Sequence, residues 1–426
     1  MEKMVIVLAV LGFIIVGFIW NRWPLWLTAM TGLMLLVLTG SLTLTEAFSG
    51  FVDQGVILTA AIYVLTEGFL KTSALGKIRK FLPERGKKEG LVVTLFLILT
   101  AVLSQFIGGI AILCAFYPLL LILEKESGIS RSRSIYPIML ISYSWGAITP
   151  FGYGASTPYL FNSILEQFGS SARFEVWDYF IGVFPMAMAT LLYMGFVGFR
   201  LLPKQTEHSV DESGLKKVSL DGGNLTPAKE KLASLIFGGT ILLMIAGSFF
   251  GLNACVIVVC GALLMVITGV LKEKEAFDAI WWPMIFMIAA ILPISSAMNQ
   301  TGAGEMIAGW IQNMLGNTSN PYVVQAVFFF FPAILTQFIS NVAADRIVEP
   351  MAIVTAMSMG INPIPVLLGS AFGAGCSILT PMSAPGMTLA FGLGGYSLKT
   401  FLRVGAVPFL MNAAAAVFLI PALFPF

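Results

Sequence analysis

Apolar residues run through this chain in long blocks, without the polar face of a soluble helix. A bilayer crossing takes about 20 apolar residues. Such blocks occur near 4–21, 24–40, 55–72, 135–168, 176–200, 231–250, 252–271, 281–300, 363–396 and 403–423. Two further stretches, 91–124 and 321–358, are too long for one helix and are interrupted, at Gly108-Gly109 and at Ser340-Asn341. Two of the crossings are interrupted as well, from Thr149-Pro150 to Pro158 and from Thr380-Pro381 to Pro385. The pattern predicts an all-α polytopic membrane protein with ten crossings and two re-entrant hairpins. The first block has no small-residue cleavage site, and Trp20, Trp23 and Trp26 follow it as interface anchors, so it reads as a spanning helix. Residues 302–315 have amphipathic helical spacing and are expected at the outer interface.

Composition agrees. Only 11% of the residues are charged and 58% are hydrophobic, whereas a soluble surface needs about 25% charged residues. The net charge is +2, and no basic cluster offers itself to nucleic acid. The basic residues report topology instead. If the chain starts outside and both hairpins return to their side of entry, 21 of the 24 Lys and Arg fall on the cytoplasmic side. Only Lys3 and Arg173 lie outside, and Arg346 lies within the membrane. That asymmetry is the positive-inside rule. It places both termini outside and the polar loop 201–230 in the cytoplasm. The four cysteines sit in apolar segments without CxxC spacing and read as packing residues. The one histidine, His208, lies in the polar loop, which excludes histidine metal sites and proton relays.

The chain also repeats itself. Glu46-Ala47-Phe48 returns as Glu275-Ala276-Phe277, 229 residues later. SQFIGGIA (104–111) returns as TQFISNVA (336–343), 232 later, and Thr149-Pro150 returns as Thr380-Pro381, 231 later. Residues 1–200 and 231–426 thus form two halves, joined by the linker 201–230. Each holds five crossings and one hairpin, 91–124 entering from the cytoplasm and 321–358 from outside. An odd number of crossings inverts the second half. This is the inverted-repeat plan of secondary transporters, with ligands held at broken helices near the midplane. Irregular backbone survives there only against protein or water, and half-helix N-termini offer N–H groups to an anion.

Several residue roles stay open between local structure and ligand binding. Ser340 and Asn341 either cap a hairpin tip or bind. Gly108 and Gly109 either permit a turn or bring backbone to a ligand. Ser104 and Thr336 either ligate a cation or bond back to their own helix. Thr149, Ser156, Thr157, Thr380 and Ser383 flank the breaks as kink residues or ligands. Asp345, Arg346 and Glu349 are ionisable at membrane depth, where a role in coupling is the first hypothesis. Arg346 and Glu349 are also spaced to pair. Glu67 is spaced to pair with Lys71. No GxSxG, HExxH, P-loop or Asp-rich motif supports an intramembrane enzyme.

GAGCSILTPMSAPGMTLAFGLGGYSLKTFLRVG (373–405), LTQFISNVAA (335–344), LSQFIGGIA (103–111) and TLTEAFSGFVD (43–53) resemble the divalent anion:sodium symporter family of the ion transporter superfamily. The resemblance runs in order over nearly the whole chain. It implies a carrier of di- or tricarboxylates or a similar oxyanion, sodium-coupled, proton-coupled or exchanging, without other cofactors. It further implies a plasma-membrane homodimer moving one domain like an elevator. It places substrate on Gly108, Gly109, Ser340, Asn341, Val342, Thr157, Pro158, Ser383 and Pro385. Coupling ions fall on Ser104, Thr336 and Asn341, and Thr149 and Thr380 beside the breaks are further candidate ion ligands. The family's Ser-Asn-Thr tips read Ser340-Asn341-Val342 and Gly108-Gly109-Ile110 here, so the first tip lacks two side-chain oxygens. A cation/proton antiporter or arsenite-type exporter on the same scaffold is the alternative.

Overall fold

A computed structural model describes residues 2–20, 22–73, 89–208, 210, 225–250, 252–314, 320–337, 341–381 and 383–426. The basic run 77–88, half of the linker 201–230 and Ser340 lie outside the described residues. The first half comprises α1 (Glu2–Trp20), α2 (Leu25–Leu38), α3 (Leu44–Phe48), α4 (Gln54–Leu70), α5 (Glu89–Leu103), α6 (Gly109–Ser127), α7 (Ser132–Trp145), α8 (Thr157–Gln167) and α9 (Asp178–Phe196). The second comprises α10 (Pro227–Phe250), α11 (Ala254–Ile267), α12 (Glu273–Ala279), α13 (Trp282–Thr301), α14 (Ala303–Met314), α15 (Pro321–Leu335), α16 (Asn341–Ser358), α17 (Pro363–Gly375), α18 (Pro385–Gly394), α19 (Leu398–Ala414) and α20 (Ile420–Leu423). No strand occurs among the described residues.

Lipid is the solvent this surface fits. Leu38, Ile267 and Leu235 keep 82%, 76% and 72% of their surface exposed, which in water would invite aggregation. Among the described residues, α9, α13 and the continuous run Leu398–Leu423 are each long and apolar enough to cross a membrane. Leu44–Val52 and Gln54–Leu70 reach that length and apolarity only when taken together, across a 42° bend. The chain is a multi-pass membrane protein.

The helices at 24–40 and 252–271 are shorter than the apolar blocks that announce them. α2 and α11 have 14 residues each, about 21 Å of rise against a hydrocarbon core of roughly 30 Å. Both stop in the same way. Thr39 and Thr268 bond back to the Leu35 and Leu264 carbonyls at 2.8 and 2.6 Å. Gly40 and Gly269 then turn left-handed, at φ +69° and +68°. Only glycine takes that conformation without cost. The next helix begins alike in both halves, where the Glu46 and Glu275 carboxylates each accept the N–H three residues earlier at 2.8 Å. The repeat is therefore one of capping chemistry as well as of letters.

Packing exchanges the halves. α2 lies on α13, and α4 lies on α11, contacts that interconvert when each element is replaced by its counterpart. Likewise α5 and α6 lean on α7, as α15 and α16 lean on α17. Tyr136 joins the halves at the breaks: its hydroxyl donates to the Ile378 carbonyl at 2.9 Å, and its N–H donates to the Tyr396 hydroxyl at 3.1 Å. Lys71 corrects an expectation. It pairs with Glu275 of the other half at 2.5 Å, not with Glu67, because α12 brings a carboxylate to the end of α4. In the linker, Glu207 accepts from the Ser397 N–H at 2.6 Å and the Thr400 hydroxyl at 2.9 Å. Burial alone would raise its carboxyl, but these bonds outweigh it and hold the group below the usual carboxylate range.

Candidate functional site

Each hairpin tip meets a broken helix through one glutamine. In the first half, α5 ends at Leu103 and α6 begins at Gly109. Gln105, between them, donates to the Ala101 carbonyl at 2.9 Å and to the Trp145 carbonyl, the last of α7, at 2.6 Å. Its side-chain oxygen accepts from the Thr149 hydroxyl at 2.8 Å and the Thr149 N–H at 3.2 Å. Gln337 repeats this in the second half. It donates to the Ala333 carbonyl at 2.9 Å and to the Cys376 carbonyl, just past α17, at 3.0 Å. Thr380 donates to the Gln337 carbonyl at 3.3 Å. A primary amide suits the place because it donates twice and accepts at once. The donated bonds satisfy helix-end carbonyls that lipid could not.

Thr149 and Thr380 therefore bind the tips as crosspieces of the two breaks. Gln105 and Gln337 were not singled out from the sequence, although both lie inside the repeated segments. The available signal was an identical polar residue at the same offset in two apolar contexts. Gln105→Leu and Gln337→Leu are each expected to lower stability by roughly 1–3 kcal/mol, read as a lower melting temperature in detergent. Wild-type melting by both variants would remove the clamp from the account.

The tips differ in their side chains. At the second, Thr336 donates to the Asn341 side-chain oxygen at 3.2 Å, and Asn341 donates to the Ser377 hydroxyl at 2.8 Å. Ser383 donates to the Ser377 and Thr380 carbonyls at 2.8 and 2.7 Å. Thr336, Asn341, Thr380 and Ser383 are thus brought together around the break after α17, with Ser377 added by the structure. At the first tip, Ser104 bonds back to its own helix, at the Ala101 carbonyl, 3.1 Å away. Gly108 caps α6 without a side-chain bond and is exposed. Gly109 has no room for a side chain, since a methyl there would stand 2.2 Å from the Ser142 hydroxyl.

The remaining candidates are spread out. Val342 is half-buried in the first turn of α16, and Pro385 is exposed at the start of α18. Thr157 and Pro158 open α8, beside a short 3-10 turn that packs on α4. Asp345, Arg346 and Glu349 lie further along α16. Arg346 contacts Glu349 at 2.5 Å and Asp345 at 3.5 Å. Glu349 is wholly buried. Asp345 Oδ1, Arg346 Nε and Glu349 Oε1 have no hydrogen-bond partner among the described residues. Two carboxylates share one guanidinium there, and an unpartnered buried carboxylate oxygen is a place for a proton or a cation. No cluster of three or more metal-ligating side chains occurs among the described residues.

Polar helix ends buried in an apolar bundle define a transporter-like site, and comparison with known proteins agrees. The citrate transporter family, CitMHS, matches residues 15–373, and the chain belongs to that family. It is 32% identical to an uncharacterized transporter of Synechocystis over 45% of this chain and 30% of that protein. It is 24% identical to the L-tartrate/succinate antiporter of Escherichia coli over 86% of this chain and 77% of that one. It is 21% identical to the sodium-dependent dicarboxylate transporter SdcS of Staphylococcus saprophyticus, over 95% and 83%. In fold it is similar to the Alcanivorax borkumensis YdaH transporter, with a TM-score of 0.63 at 16% identity over 92% and 88% of the chains. The resemblance to divalent anion:sodium symporters is borne out at the level of the family.

Proposed function

We propose that this protein is a secondary carrier of small carboxylates or similar oxyanions, driven by sodium. The matched clamps carry the reading: two hairpin tips, one in each half, are each bonded by a glutamine to a broken helix. Elements so alike in an apolar bundle supply backbone N–H groups for an anion and freed carbonyls for a small cation. Membership of the citrate transporter family and likeness to a sodium-dependent dicarboxylate transporter support the substrate class and the ion. Asn341 and Thr336 are the proposed sodium and substrate contacts at the second tip. The halves 1–200 and 231–426 are taken as inverted repeats in the plasma membrane, with the termini outside. They would work as a homodimer that moves the tips and breaks together against α2, α4, α11 and α13.

The test is uptake of radiolabelled succinate, citrate, L-tartrate and sulfate into proteoliposomes. An inward sodium gradient, or preloading with the same anion if the protein exchanges, is expected to accelerate at least one of them several-fold. Entry of none under either condition would overturn the reading. A second reading rests on the buried Asp345–Arg346–Glu349 group, with its unpartnered carboxylate oxygens. There the coupling ion is a proton, and a pH gradient replaces sodium in the same assay.

A further inference from the structure

Three residues of α8, spaced four apart, each bond to the end of a different helix. The Tyr159 hydroxyl accepts from the Ala254 N–H, in the first turn of α11, at 3.2 Å. The Ser163 hydroxyl donates to the Asp53 carboxylate. Asp53 caps α4, and its other oxygen accepts from the Gly55 and Val56 N–H groups at 2.8 and 3.3 Å. The Gln167 carbonyl accepts from the Asn299 amide, in the last turn of α13. Positions four apart share a helix face, so the three make one stripe. The starts of α4 and α11 are themselves joined, because Asn253, the cap of α11, donates to the Gln54 side chain at 3.1 Å. Between the bonds α8 sits close. A methyl on Gly55 would stand 2.7 Å from the Leu160 side chain, which is buried there.

Elsewhere this seam meets through rings. Phe106 of the first tip faces Phe237 of α10 at 5.1 Å, and Tyr153 of the break faces Tyr63 of α4 at 5.6 Å, both between ring centroids. Apolar contact is non-directional and permits sliding. On its other side the break is bonded to the tip. The Tyr153 N–H donates to the Gln105 carbonyl at 2.9 Å, in addition to the bonds of the Gln105 side chain. Tip, break and α8 therefore form one body, and the stripe is its polar fastening to α4, α11 and α13. Water reaches that fastening. A cavity of about 350 Å³ is lined by Asp53, Ser163, Glu166 and Gln167, so these groups find solvent when their bonds part. The counterpart helix α18 carries no such stripe. It reads PGMTLAFGLG, and its one polar side chain, Thr388, donates to the Pro381 carbonyl of its own break at 2.6 Å.

We infer that Tyr159 and Ser163 form a releasable latch, which docks α8 on the ends of α4 and α11 and parts when the first tip and break move as a body. The inference rests on the carrier reading and deepens it, by naming the contact that holds one end state. The charge pattern of the loops puts this contact on the outer side. With no counterpart on α18, the latch favours the docked state over the opposite one.

Maleimide labelling of Leu160→Cys, in the full chain without its four native cysteines, tests the latch without any substrate. With the latch intact, the thiol lies against Gly55 and labels slowly. Ser163→Ala should speed labelling about tenfold, as loss of a hydrogen bond to a charged group does, and Tyr159→Phe a few-fold, as loss of a neutral one does. Ser163→Thr keeps the hydroxyl and should label like Leu160→Cys alone. Gln337→Leu loosens the other half and should leave the rate unchanged, which separates unlatching from general softening. Unchanged labelling in both Ser163→Ala and Tyr159→Phe would overturn the latch. So would labelling of Leu160→Cys alone at the rate of an exposed thiol, since α8 would then not be docked. Faster labelling in both variants of a protein that takes up no anion would sustain the latch and count against the carrier reading.

Discussion

Uptake is expected to vanish in Asn341→Ala while the protein still folds. Asn341 spans the second tip: it receives from Thr336 and donates to Ser377 across the break. Those bonds are neutral, and losing both costs about 2 kcal/mol, which a bundle of this size tolerates. The functional loss is larger, because the same amide is the proposed contact for both substrate and sodium. A fall in initial rate of at least about a hundredfold follows if its bonds strengthen to charged partners. The check is proteoliposome uptake beside melting temperature and expression. Normal uptake would remove the second tip from the mechanism.

The largest effect on stability is expected at Arg346. Arg346→Ala would leave Glu349 and Asp345 buried without their counter-charge, at Glu349 with no exposure at all. Breaking a buried pair from one side costs roughly 3–5 kcal/mol, seen as loss of expression or a collapsed melting temperature. Replacing the whole group by Asp345→Asn, Arg346→Met and Glu349→Leu together should restore most of that stability, since apolar side chains of similar volume need no solvation. If the group carries the coupling ion, the triple variant folds and does not concentrate substrate. A triple variant with full coupling would make the group a structural pair only.

Much of the fold was legible because the repeat speaks twice. Thr39-Gly40 and Thr268-Gly269, and Glu46 and Glu275, do the same local chemistry at one offset, and local chemistry is what a sequence displays. The breaks at Thr149 and Thr380 were visible for the same reason. Contacts between distant segments were not. Lys71 has Glu67 one turn away, yet it takes Glu275, which only the packing of α12 on α4 brings near. Gln105 and Gln337 lie within segments whose glycines, serine and asparagine carry the stronger local signal. Their partners, the Trp145 and Cys376 carbonyls, are backbone atoms about 40 residues downstream. The stripe of Tyr159 and Ser163 left no trace in the pattern, because its meaning depends on which helix ends α8 meets. The apolar blocks overstate α2 and α11 because they run on through Thr39-Gly40 and Thr268-Gly269, which end the two helices.

The central claim is a carrier of two matched halves that lie in opposite orientations. Single cysteines introduced as Glu46→Cys and Glu275→Cys, in a background lacking the native four, test it most directly. The two positions are equivalent in the repeat and open equivalent short helices. A membrane-impermeant maleimide should label position 46 only from outside the cell and position 275 only from the cytoplasmic face of inverted vesicles. Labelling of both positions from the same side would contradict the account.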